Sequence, residues 1–409
     1  METIYHSLSY SIYCRHEIWW ILGYVHGCQS ESYVWWRSIT KLNCVWVTQK
    51  GNPISIHWHN RIPAPHLLHD HIEPSLIMNT SECYPDCGVP AMVHVHGLES
   101  PAEYDGLPIY AFGYGLSRTD YHNNAQPAAT LMYHDHALGI SRLNVWMGLA
   151  GLYIIEDAID ASIRVSCDIP LLIQDKKIAT DGTVLYPKPD CPVSSSLWTP
   201  EAFGTVNVVN GVVAPFVKVP QQQCRFRLVN VANSRRYSLN IPFADQCMII
   251  AKESGYVKHP RRLPKPFSSL GNAWMNEPAV SVDGTLLLYP FQRIDLFCDL
   301  REKAIGSIFN ITDFNSEDGG SSEILQVHII PSTPSDKKLV PVPEVLNPIK
   351  DLRALWKSTG GKTRNITLEE IENPLNSECP MSLRISADGQ YKDYNKDEYI
   401  PCELGKVER

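Results

Sequence analysis

The sequence predicts an all-β protein built from tandem β-sandwiches, and three observations carry that expectation. Short runs alternate apolar and polar side chains, as half-buried strands do. Gly, Pro, Asn or Asp separates those runs at near-regular spacing, the pattern of sandwiches and barrels. Thirty prolines among 409 residues, with no long run of Ala, Leu, Glu and Lys, leave little room for extended helices.

Each strand follows in chain order. Ile54-Ser55-Ile56-His57-Trp58-His59 alternates cleanly. Further strands are expected at Ala91–His96, Thr130–His134, Gly151–Ile155 and Leu171–Gln174. Asp181-Gly182 marks a hairpin between Lys177-Ile178 and Val184-Leu185-Tyr186. Val206–Val209, Cys224–Val231, Tyr237–Ile241, Thr285–Leu288 and Gln292–Cys298 continue the pattern.

At roughly 150 residues per domain, the length suggests two or three domains. Residues 1–48 stand apart as an atypical N-terminal segment. They hold Trp19, Trp20, Trp35, Trp36 and Trp46, half of the ten tryptophans, with neither alternation nor helical period. A first domain is expected over 49–157, ending in a polar connection after Glu156-Asp157, and a second over 167–331. Five prolines between Pro331 and Lys350 suggest a semi-extended linker over 332–350. Residues 351–409 include strand-like Thr363–Leu368 and Ser382–Ile385 but fall short of the ~100 residues of a full sandwich. They read as the start of a third domain.

Composition narrows function. Hydrophobic residues at 44% and charged residues at 20% argue against global disorder. A net charge of −8 without basic clusters argues against a nucleic-acid partner. No stretch approaches the ~20 apolar residues of a membrane span, and Ile18–Leu22 makes a poor signal peptide. Sequons at Asn79, Asn310 and Asn365 point towards secretion, and twelve cysteines permit disulfides without specifying them. No nucleophile elbow, Walker A loop or dinucleotide fingerprint occurs.

Two histidine pairs carry the chemistry: His94-Val95-His96 and His134-Asp135-His136. Residues i and i+2 of a strand share a face about 6.5–7 Å apart. Two imidazoles so placed can address adjacent metal ions, and neutral imidazole suits Cu, Zn, Fe and Ni. A single pair could be hydrogen-bonded surface residues, whereas two pairs near strand ends favour metal binding. His57-Trp58-His59 has the same spacing, but its histidines are expected to face solvent. His66, His69 and His71 read as a solvated loop, and His122, His259 and His328 as structural. Cys83-x3-Cys87 reads as a disulfide or free thiols, because no matching second Cys pair supports a zinc knuckle.

These motifs sit in a wider pattern. His94-Val95-His96-Gly97, Tyr104-Asp105-Gly106, Tyr133-His134-Asp135-His136-Ala137-Leu138-Gly139, Arg142-Leu143-Asn144-Val145 and Gly148-Leu149-Ala150-Gly151 together resemble the first cupredoxin domain of a multicopper oxidase. The branch is that of spore-coat laccase, bilirubin oxidase and plant ferroxidases. Asp168–Asp175, Val209-Asn210-Gly211, Cys224–Asn230 and Arg293-Ile294-Asp295-Leu296 resemble the second domain. The resemblance runs from about Gly51 to the end.

It implies tandem cupredoxin-like Greek-key sandwiches, with copper as cofactor. It implies His94 as a ligand of the type 2 copper, and His96, His134 and His136 as ligands of the type 3 pair. Asp105 matches an acid that helps supply protons to the oxygen-reducing cluster. Asp135 should point to the opposite face, and Glu99 and Glu103 have no counterpart. The second domain is expected to carry no copper ligand, with Arg225, Arg227 and Asp295 structural.

The chain also departs from the family pattern. No His-Cys-His occurs and no histidine follows His328, so the type 1 copper ligands and half of the cluster are not in this sequence. The expected function is a laccase-like oxidase. Electrons would come from a phenolic or metal-ion substrate, and O₂ would go to water. This chain by itself is expected to be inactive and to need a third domain. A copper-binding or structural cupredoxin protein without catalysis is the alternative. A zinc hydrolase would need long helices that the sequence does not show.

Overall fold

The structure is a computed structural model that describes residues 7–8, 21–25, 45–62, 64–77, 88–187, 201–263, 285–314, 320–336, 338–348, 352–361, 363–371 and 382–391. The Cys83-x3-Cys87 loop, the Asn79 sequon and the end of the tail lie outside the described residues. The chain divides into two compact units, 1–187 with 201–347, and 188–200 with 348–409.

The larger unit begins with β1 (Ile21–Val25), β2 (Val45–Gln49), β3 (Ile54–Asn60), β4 (Val93–His96), β5 (Ser117–His122), β6 (Ala129–Asp135), helix α1 (Ser141–Trp146) and β7 (Ala150–Glu156). One sheet has the order β2-β7-β6-β4 and another β1-β3-β5. Apolar alternate positions of both face one core, which contains Ile56, Trp58, Val93, Val95, Leu131, Tyr153 and Ile155. Three described strands, Ser7–Leu8, β1 and β2, arise within residues 1–49, where no strand pattern was legible. β1 pairs antiparallel with β3, and β2 runs parallel to β7.

A short helix α2 (Ala158–Ser162), closed by an Asp157 capping box, leads into the second pair of sheets. Its strands are β8 (Cys167–Ile178), β9 (Val206–Val209), β10 (Phe216–Pro220), β11 (Gln223–Asn230), β12 (Tyr237–Asn240), β13 (Cys247–Lys252), β14 (Gly255–Arg262), β15 (Leu286–Leu288), β16 (Arg293–Asp299), β17 (Ile308–Asp313) and β18 (Glu323–Ile330). One sheet runs Val212–Val213, β9, β8, β11, β16, β13, β14, with Val184–Leu185 hairpinned onto β8 as the Asp181-Gly182 signal implied. The other runs Ser7–Leu8, β10, β18, β17, β12, β15. Their facing apolar residues form one core. Cys167, Cys224, Cys298 and Cys247 are paired neighbours across four adjacent strands. They close two disulfides, Cys167–Cys224 and Cys247–Cys298.

The described part of the Pro-rich stretch is irregular and docked. Val340 N–H donates to Gln223 Oε1 at 2.7 Å, Gln223 Nε2 donates back to the Val340 carbonyl at 3.1 Å, and Leu346 is buried. The smaller unit contains helix α3 (Leu352–Thr359) and the sheet β19 (Ile366–Ile371), β20 (Ser382–Ala387), β21 (Gln390–Tyr391). No helix among the described residues is long and apolar enough to cross a membrane.

Candidate metal centre

Antiparallel pairing of β4 and β6 places His94 directly opposite His134. Because strand side chains alternate, the partners at i+2 fall on the same face. Ring centroids lie 5.8 Å apart for His94–His96, 5.5 Å for His94–His134, 5.6 Å for His96–His134 and 5.2 Å for His94–His136. One nitrogen from each of His94, His96 and His134 falls within 4.8 Å of the other two. His136 sits at the rim, its ring 5.8 Å from that of His134.

The reverse face of the same strands packs the core. Val93 and Val95 are buried there. Asp135 accepts from the Met92 N–H at 3.1 Å and the Ala137 N–H at 3.2 Å, so it ties the two motifs together from behind. Burial pushes its carboxyl up to about 7, against those hydrogen bonds. It is a brace, as its position between the two histidines implied.

Backbone carbonyls orient the rings. His134 Nδ1 donates to the Asp135 carbonyl at 2.8 Å, which leaves Nε2 buried with no hydrogen-bond partner. His94 Nδ1 donates to the Asp105 carbonyl, and Asp105 Oδ1 lies 3.5 Å from the same nitrogen. His136 Nδ1 is likewise buried without a partner. Carbonyl-braced imidazoles whose other nitrogen is free are what a metal ligand set requires, so these residues fit copper. Burial holds His96 at about 4 and His134 at about 3, and lowers His136, keeping these rings neutral and ready to coordinate. Burial raises the Asp105 carboxyl, opposed by His94.

Other histidines sort differently. His57 and His59 are half-buried, His57 bonded to Thr119 Oγ1 at 2.6 Å, with Trp58 in the core behind them. His66 corrects the expectation of a solvated loop: it is fully buried, 3.2 Å from Asn144 Oδ1, because helix α1 closes over it. Arg225, Arg227 and Asp295 form a buried ion network, with Arg225 Nη1 2.7 Å from Asp160.

One neighbour of the site was not foreseen. Phe291, from the turn before β16, stacks on His134 with centroids 4.7 Å apart and 18° between planes. It belongs to the second pair of sheets and no local motif marks it.

Residues 87–160 match the multicopper oxidase family model. Over 229 residues the chain is 34% identical to a laccase of Bacillus stratosphericus, covering 52% of this chain and 44% of that protein. Over 226 residues it is 32% identical to multicopper oxidase LPR1 homolog 1 of Oryza sativa subsp. japonica, covering 52% and 38%. The chain therefore spans less than half the length of these relatives. In fold it is similar to the crystal structure of McoA multicopper oxidase from Aquifex aeolicus, with a TM-score of 0.60, 23% identity, and coverage of 84% of this chain and 64% of that one. The matched segment contains both histidine motifs, so the region that holds the cluster is similar to a multicopper oxidase domain.

Proposed function

We propose that this chain supplies the first-domain half of an oxygen-reducing copper cluster. His94 would serve the type 2 position and His96, His134 and His136 the type 3 pair. The observation that carries the reading is the convergence of His94, His96 and His134 nitrogens within 4.8 Å, with His134 Nε2 buried and free. When bound, copper would supply the one-electron steps that this family uses to take O₂ to water.

The chain's own residues prepare the site. The Asp105 and Asp135 carbonyls fix which ring nitrogens of His94 and His134 face the metal. The Asp105 carboxyl, half-buried beside His94, holds its proton to a higher pH than an ordinary carboxylate. A proton stored at Asp105 Oδ1 fits the role of a general acid close to the cluster. The four other cluster ligands and the type 1 ligands that the family resemblance calls for are not among these 409 residues. Oxygen reduction is therefore proposed for a protein that also carries them, with a phenolic compound or a metal ion as reductant. Two disulfides and the exposed Asn310 and Asn365 sequons favour an oxidising, secretory address.

The test is copper content together with oxygen uptake. The purified 409-residue chain should retain copper after desalting, and His96→Ala with His134→Ala should abolish that retention. The chain alone should consume no oxygen with a phenol or Fe(II). Copper retained by the double variant would overturn the site, oxygen uptake by the parent chain would overturn its need for further ligands, and a parent without copper would favour a structural cupredoxin.

A further inference from the structure

The second pair of sheets, expected to carry no copper ligand, reaches the histidine cluster through one turn. Tyr289–Gln292 closes with a Gln292 N–H to Tyr289 carbonyl bond of 3.0 Å. It is tied to the end of β11, where Phe291 N–H donates to the Asn230 carbonyl at 2.8 Å and Asn230 N–H donates to the Gln292 carbonyl at 3.1 Å. Asn230 is itself fully buried, and its side-chain Nδ2 donates to the Leu288 carbonyl at 2.9 Å.

Within this frame Phe291 has φ +61°, the left-handed region that a bulky side chain rarely occupies. Such a conformation persists only where the surroundings over-determine it, and it clusters at functional sites. Here the backbone bonds supply the constraint, and the result is a ring laid flat on His134 and 5.9 Å from His96. The same turn is held from beneath. Arg293, buried in β16, donates Nη1 to the Phe291 carbonyl at 2.8 Å and pairs with Glu253 at 2.8 Å. Its other terminal nitrogen lies where only a glycine fits: a Cβ on Gly97, the residue after His96, would come within 2.7 Å of it.

We propose that Phe291 is a positioning residue for the metal centre, fixing the ring plane of His134 so that its free Nε2 faces the site. His134 otherwise has one orienting hydrogen bond, from Nδ1, about which the ring could still rock. A stacked aromatic removes that freedom, an advantage realised when the ring must meet a metal at fixed geometry. This inference rests on the copper reading for its consequence but not for its geometry.

The experiment uses the full chain, as the parent, Phe291→Leu and Phe291→Tyr, with histidines isotopically labelled. In metal-free protein, the carbon-bound ring protons of His134, assigned by their loss in His134→Gln, should be displaced upfield by the facing phenyl. They should move downfield in Phe291→Leu and stay in place in Phe291→Tyr. Cu(II) affinity, measured by competition with a chelator, should fall about threefold to tenfold in Phe291→Leu, the size of a lost aromatic pair, and be restored by tyrosine. Unchanged ring shifts in Phe291→Leu overturn the inference. So does an affinity equal in all three proteins, or one that falls equally in Leu and Tyr variants along with melting temperature. If the parent binds no copper, the oxidase reading fails, and the ring shifts alone decide whether Phe291 holds His134.

Discussion

His66 and His122 have the same depressed basicity as the cluster histidines, both at about 4, and the cause is again burial. A low imidazole pKa therefore marks a dry environment, and only mutual geometry separates His96 and His134 from them. Lys176 makes the same point for a cation. Its Nζ is buried without a hydrogen-bond partner, and lies 4.8 Å above the Trp146 ring. Burial lowers the amine to about 7 from 10.5, partly offset by Asp175. Because the folded pKa is below the unfolded one, the cost of burying the ammonium is full below pH 7 and is relieved as pH rises towards 10.5. Lys176→Met should therefore stabilise the protein at pH 6 by about 2 kcal/mol, with the gain shrinking at pH 9.5. Urea melts at the two pH values check this, and a net loss at pH 6 would show that the Trp146 contact outweighs desolvation.

Strand pairing is the element-scale device that turns two motifs some forty residues apart into one site. Gly106 shows how close the neighbouring loop must come. It has φ +80°, and a Cβ there would lie 2.2 Å from the Val93 carbonyl and 2.6 Å from His94 Cα. Gly106→Ala must push the Asp105 loop away from β4, losing the His94–Asp105 contact. Destabilisation of about 2–4 kcal/mol is expected from the clash and the left-handed backbone together, with copper retention reduced. A melt combined with metal analysis checks both. Most strands were legible because alternation is a local pattern, and the Asp181-Gly182 turn because its chemistry is local too. Asn210-Gly211 and Asp388-Gly389 are further two-residue turns with both φ positive, joining Val206–Val209 to Val212–Val213 and β20 to β21. The strands at Ile21–Val25 and Val45–Gln49 were not legible. Their pairing partners, not their own periodicity, make them strands.

Across the larger unit, a buried polar network joins the two sandwiches. Thr130 of β6 donates to Asp295 Oδ2 at 2.8 Å and accepts from Arg227 Nη1 at 2.6 Å. Asp295 also pairs with Arg225, which reaches Asp160, and Arg227 pairs with Asp168. Every one of these side chains except that of Asp168 is at least nine-tenths buried. Removing Asp295 would leave Asp160 as the one carboxylate paired with the buried Arg225 and take a buried acceptor from Thr130, so Asp295→Ala should cost about 3–5 kcal/mol. Chemical denaturation measures it, and a cost under 1 kcal/mol would mean that water replaces the carboxylate. Beside this network, Met132, Leu152, Leu172 and Val229 form the apolar contact between the sandwiches, with Phe291 at its edge. The sequence by itself determined the all-β class, the hairpin signals and the two i, i+2 histidine pairs, because alternation, turn chemistry and i, i+2 spacing are properties of neighbours along the chain, whereas Asp105 was named only through the family resemblance. Only the tertiary structure decided that His66 is buried while His57 is half-exposed, that Asp295 bridges two sandwiches, and that Phe291 lies on His134. Those facts depend on which distant surfaces meet, and no local pattern records that.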